Sequence, residues 1–153
     1  MTLSLLWPTF ALVLLIFVVL CVLIVRRGLH VQANPPTKDD VSDRAAAARY
    51  FAPVDAPAAN LANLFEIPVL YFALVPLLML TRHGDHLQTG LAWVFVILRI
   101  AHSAIQLGPN KVALRLPVYA ASCLVLFAMW AIFAVQMISA AAAISAAGQG
   151  AAL

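Results

Sequence analysis

Leu5 to Val25 form a nearly unbroken apolar run of 21 residues, and no charged residue interrupts it. About 20 residues rising 1.5 Å each cross the hydrocarbon core of a bilayer. Three further apolar stretches, residues 58–81, 90–107 and 112–140, have comparable length. In lipid every backbone N–H and C=O must find its partner within the segment or within a closed barrel. These runs are far longer than the alternating segments of about ten residues that build barrels, and nine prolines argue against lipid-exposed strands. The expected fold is therefore all-α: an integral membrane bundle of four transmembrane helices, with residues 1–153 forming a single domain.

Composition agrees. The chain is 65% hydrophobic and 10% charged, with a mean hydropathy of +1.00, whereas soluble domains carry about 25% charge. A net charge of +3 is too small and too scattered to suggest nucleic acid. Cys21 and Cys123 lie in apolar runs and read as small hydrophobes. Pro8 falls in the first turn of its span, where proline is tolerated. No positive charge precedes that span and no small-residue cleavage site follows it, so no cleaved signal peptide is expected.

Arg26 and Arg27 close the first span. Residues 28–57 are the one extended polar stretch, opening with a linker around Pro35-Pro36. Ser42 or Asp43 is placed to cap a short helix through Ala45–Ala48. The alanine-rich tail after Ser139 is expected to fray. The first loop holds Arg26, Arg27, Lys38, Arg44 and Arg49, and the third adds Lys111 and Arg115. The second loop has only Arg82. The positive-inside rule then puts loops one and three in the cytoplasm and both termini outside.

With that topology Glu66 and Arg99 each lie eight residues from the cytoplasmic edge of their spans, about 12 Å deep. An ion pair is the natural expectation, since either charge alone is costly in a low-dielectric interior. Other polar residues keep helical spacing. Asn60, Asn63 and Glu66 step by three. Arg99, His102 and Gln106 fall at i, i+3 and i+7, and Arg115, Tyr119 and Ser122 at i, i+4 and i+7. Three stripes thus converge at one end of the bundle. Two readings fit: hydrogen-bonding glue between helices, or a polar pocket in which His102 moves protons. Arg115 and Tyr119 sit at the edge, where a soluble molecule reaches them and where snorkelling also places such residues. His83 and His86 flank a polar turn and are read as solvated rather than as metal ligands. There is no glycine-rich phosphate loop, paired-cysteine metal site or catalytic serine motif.

The phrase Asn63-Leu64-Phe65-Glu66-Ile67-Pro68 resembles the second-helix signature of the MAPEG superfamily, the membrane-associated proteins in eicosanoid and glutathione metabolism. Arg99-Ile100-Ala101-His102, then Leu107-Gly108, then Arg115-x-x-x-Tyr119, resembles its third- and fourth-helix signature. The chain is most similar to the bacterial branch, which carries Asn-Leu-Phe-Glu-x-Pro-Val-Leu. The resemblance implies a four-helix subunit in a homotrimer, in a bacterial inner membrane. It implies glutathione bound between subunits near the cytosolic face and lipophilic molecules drawn from the membrane.

By that resemblance Arg115 stabilises the glutathione thiolate and Tyr119 belongs to the same site. Glu66 holds the glutathione amino end with Asn63 beside it. Arg99, His102 and Gln106 line the pocket. The implied activity is a glutathione-dependent transferase or peroxidase acting on lipophilic electrophiles. One departure bears on this. The glutathione-using members carry arginine one or two turns before the asparagine, where this chain has Ala56, Ala59 and Ala62, and carboxylate recognition favours a fork of donors. The alternative is a membrane subunit that keeps the fold for binding or for structure without glutathione chemistry.

Overall fold

The computed structural model describes residues 2–150, with side chains described for residues 3–146. A short 3-10 turn, Thr2–Leu5, leads into α1, Leu6–Ala33. The helix runs six residues past Arg27, because neither Gly28 nor any residue before Pro35-Pro36 stops it. Residues that precede proline are pushed out of the helical region, and Asn34 sits at φ −135°. Arg26 lies just before this extension, and its guanidinium donates to the Leu107 carbonyl at 2.9 Å. That satisfies an orphan carbonyl at the end of another helix and puts positive charge where the helix dipole favours it.

Asp43 caps α2, Arg44–Phe51, by accepting from the Ala46 N–H at 2.8 Å. This helix folds back onto the end of α1. The His30 ring lies 3.0 Å from the Tyr50 carbonyl, and the Arg27 guanidinium stands 4.6 Å over the Phe51 ring. Arg27 also pairs with Asp55 at 3.4 Å, the one ion pair among the described residues. In the exposed linker, Thr37 donates its N–H and its hydroxyl to Asp40. These bonds hold that carboxyl below the ordinary carboxylate range.

The second span is two helices, α3, Ala56–Leu64, and α4, Pro68–Leu80. Pro68 has no N–H to give the Leu64 carbonyl, and its ring crowds that carbonyl. The chain bends through Phe65–Ile67 with short-range bonds, Phe65 N–H to Ala62 and Val69 N–H to Glu66. Asp85 caps α5, His86–Leu107, by accepting from the Gln88 N–H. The turn to α6, Val112–Gly150, passes Asn110 at φ +48°. A Cβ added at Gly108 would meet the Ala104 carbonyl at 3.0 Å. The alanine-rich tail is helical through Gly150 instead of frayed. Alanine has the highest helix propensity, and no proline follows Pro117 to interrupt it.

Helices α1, α3–α4, α5 and α6 are each long and apolar enough to cross a membrane, and no strand occurs among the described residues. The chain is an integral membrane bundle. Helix α5 is its spine, packing on α6 most extensively and on α1 and α3 as well, while α4 leans on α6. Helix α1 and the turn before it contribute a single seam, with Leu5, Leu12 and Val19 fully buried at seven-residue spacing. Trp7, Leu14 and Phe17, on its other faces, are exposed. In the apolar core Tyr71 stacks on Phe95 with centroids 5.2 Å apart, and its hydroxyl meets Thr9 at 3.1 Å.

Nearer the C-terminal end of α5 lies a reciprocal polar pair. The Ser103 hydroxyl donates to the Asn60 side-chain oxygen at 2.9 Å, and Asn60 Nδ2 donates to the Ser103 carbonyl at 3.2 Å. Both residues are buried. Asn60→Ala strands the Ser103 hydroxyl and leaves a gap, so it should destabilise the bundle by about 1–3 kcal/mol. Thermal unfolding in detergent checks this, and an unchanged midpoint would show the pair to be dispensable.

Candidate functional site: a polar cleft beside α6

The polar face of α5 recurs at helical spacing, and Arg99, His102, Ser103 and Gln106 are all buried. A fully buried guanidinium in a membrane bundle calls for a partner. Glu66 is not it. Glu66 lies in the bend between α3 and α4, is exposed, and makes no ion pair among the described residues. The expected Glu66–Arg99 pair is therefore corrected. Depth alone suggested it, but the Pro68 break ends the helical phase that was to carry the Asn60–Asn63–Glu66 stripe inward.

Arg99 instead donates to the Ser122 hydroxyl, which in turn donates to the Tyr119 carbonyl at 2.6 Å. Its guanidinium stands 4.7 Å over the Tyr119 ring and 5.8 Å from the Phe95 ring. Such cation–π contact compensates part of the lost hydration. Nε and Nη1 of Arg99 are buried without a hydrogen-bond partner, as is Nδ1 of His102.

Gln106 links two helices behind the site. Its amide oxygen accepts from Asn63 Nδ2 at 3.1 Å and lies 3.1 Å from His102 Nε2. With the amide reversed, the oxygen instead accepts from Arg115 Nη1 at 3.3 Å. The His102 ring is tilted against the Tyr119 ring, centroids 5.5 Å apart.

In front of these groups a cleft of about 170 Å³ is lined by Asn63, His102, Val112, Arg115, Leu116 and Tyr119. Arg115 reaches it from the first turn of α6 and donates to the Asn110 side chain at 3.1 Å, with no carboxylate paired to it. The cleft thus brings together a cation, a phenol, an imidazole and an amide. Such a set can hold an anion and steady a negative charge that develops on it.

Of the residues expected at a site, Asn63, His102, Arg115 and Tyr119 line the cleft. Gln106 lies against Asn63 and His102, Arg99 lies under Tyr119, and Glu66 is exposed at the bend, within electrostatic range of Arg99 and Tyr119 but in no close ion pair with either. Ser103 was missed. Its signal was available, since it shares the buried face of α5 one position after His102 and lies at the depth of Asn60. No group of three or more His, Cys, Asp or Glu side chains placed to hold a metal occurs among the described residues.

The chain is thus a membrane-spanning four-helix bundle with a polar cleft between its second, third and fourth spans. A model of the MAPEG family matches residues 4–135. The chain belongs to the MAPEG family. Nothing among curated proteins and nothing among solved structures matches it.

Proposed function

We propose that this protein is a membrane-embedded transferase or peroxidase that uses glutathione to attack lipophilic electrophiles, working as a homotrimer. The observation that carries this is the cleft in which Arg115, free of any carboxylate, sits with Tyr119, His102 and Asn63. A thiol with an ordinary pKa near 8.5 is mostly protonated at neutral pH, and a guanidinium beside it favours the nucleophilic anion. Arg115 holds the thiolate. The sulfur bonds to the electrophilic carbon, and the leaving group departs with the bonding pair. The Tyr119 hydroxyl donates a hydrogen bond to the developing charge. Arg99, through its cation–π contact, steadies the Tyr119 ring from behind, and Gln106 orients Asn63 and His102.

The unpartnered Nδ1 of His102, a residue of the cleft wall, suits a polar guest. The carboxyl ends of glutathione find less, because Ala56, Ala59 and Ala62 offer no donors beyond the backbone. Glu66, exposed at the bend, is placed to meet an ammonium group or a neighbouring subunit. The positive charge in loops one and three supports a cytoplasmic mouth for the cleft, in a bacterial inner membrane with both termini outside.

The test is calorimetric titration of the detergent-purified protein with glutathione, with Arg115→Ala as control. Saturable binding that weakens at least about tenfold in the variant, the equivalent of about 1.4 kcal/mol, is the expected result. No binding at millimolar glutathione would overturn the reading. The three alanines would then favour a non-catalytic subunit that binds an amphiphile or only supports an assembly.

A further inference from the structure

The turn between α5 and α6 presents Arg115 to the cleft, and Asn110 in that turn touches its guanidinium. The end of α5 is closed first. The Gly108 N–H reaches the Ala104 carbonyl at 3.0 Å, the Asn110 N–H reaches the Ile105 carbonyl at 2.8 Å, and Arg26 covers the Leu107 carbonyl. Asn110 makes this turn at φ +48°, left-handed backbone that asparagine tolerates better than most residues. Helix α6 then starts at once, with the Leu114 and Arg115 N–H groups both on the Lys111 carbonyl at 3.1 Å. Arg115 is thereby fixed at its backbone. Its far end is held by Asn110, whose side-chain oxygen accepts from Arg115 Nη1 at 3.1 Å.

The charge of that acceptor matters. A guanidinium carries five N–H donors, and the group that grips it here is a neutral amide. Gln106, the other acceptor within reach when its amide is reversed, is neutral as well. A carboxylate in either place would pair with Arg115 and offset its charge. The cleft wall has none. Besides Arg115 its titratable groups are His102 on α5 and Tyr119 on α6, and α3 brings Asn63. Glu66, at the bend, acts on Arg99 and Tyr119 from a distance.

We propose that Asn110 is a positioning residue for the reaction: it grips Arg115 with a neutral acceptor, aims the guanidinium into the cleft, and leaves its positive charge free for an incoming anion. This rests on the cleft being the place where a thiolate is stabilised. Asn110 itself touches no reacting atom. It meets two demands together, left-handed backbone and an uncharged oxygen. Glycine meets only the first, and aspartate meets the first while adding a charge.

Asn110→Asp and Asn110→Gly test this. Both residues accept the left-handed turn, and Asn110 is exposed, so both variants should unfold in detergent at the parent's temperature. The readout is the ultraviolet absorbance of a bound thiolate as pH is raised, referred to Arg115→Ala in the same detergent. It is recorded with glutathione and, separately, with benzenethiol, which has no peptide to anchor. In the parent the bound thiol should ionise at lower pH than in the reference. Asn110→Asp should move that midpoint back by about one pH unit or more, because the new carboxylate pairs with Arg115. Asn110→Gly should weaken thiol binding about threefold, the loss of one exposed hydrogen bond, with a smaller change in midpoint. A midpoint that Asn110→Asp leaves in place, equal effects of the two variants, or a lowered unfolding temperature in both would each overturn the proposal. A parent that shifts benzenethiol but does not bind glutathione would keep the role of Asn110 and remove the glutathione reading. A shifted glutathione thiol that ignores Asn110→Asp would do the reverse, and no shift of either thiol would remove both.

Discussion

Replacing Arg115 by alanine should lower kcat/KM for conjugation of glutathione to a lipophilic electrophile by about 10²–10³-fold, the loss seen when one preorganised donor to a developing anion is removed. The guanidinium is half-buried at the mouth of the cleft and bonds only to the Asn110 side chain and, in one orientation of its amide, to Gln106. Its removal strands no buried charge. The variant should therefore fold and assemble as the parent does, and size-exclusion chromatography in detergent would show it. Arg115→Lys keeps the charge but loses the planar fork, so it should recover only part of the rate. The pH profile separates the roles. If Arg115 stabilises the thiolate, activity of the alanine variant should rise toward the parent's as pH approaches the free thiol's pKa near 8.5. A constant deficit across pH would assign Arg115 to binding alone.

Replacing Arg99 by methionine should separate stability from activity. Its guanidinium is fully buried, makes no close ion pair among the described residues, and leaves two nitrogens without hydrogen-bond partners. Exchanging a buried ionic group for an apolar side chain of similar length is often neutral or stabilising by about 1–4 kcal/mol. Ser122 loses a donor but still gives its own proton to the Tyr119 carbonyl, so no new orphan donor appears. The variant should unfold at the same temperature as the parent or higher, while conjugation falls by about 10-fold or more because Tyr119 loses the cation behind its ring. Marked destabilisation instead would mean that the guanidinium has a partner in the assembled protein that a single chain does not contain.

A residue kept at a cost to the fold is where local rules fail for the sake of a site. Arg99 has that character, and so does the bend at Phe65–Ile67, where a membrane helix gives up its hydrogen-bond ladder. Glu66 lies exposed at that bend. Pro68, which causes it, is equally visible in the sequence. Which way the chain turns after it depends on packing against α5 and α6.

The amino-acid sequence alone determined the four spans, their helical character and the convergence of polar stripes at one end. Those follow from run length, from the backbone's need for internal hydrogen bonds in lipid, and from the 3.6-residue period. It also narrowed the cap of α2 to Ser42 or Asp43, because a cap is a local bond, and the structure takes Asp43. Only the tertiary structure decided what each polar group meets. Arg99 reaches Ser122 and the face of Tyr119, and Asn60 closes on Ser103. Depth along a helix is legible from residue number. Azimuth after a proline break is not, because it is set by how one helix seats on the next.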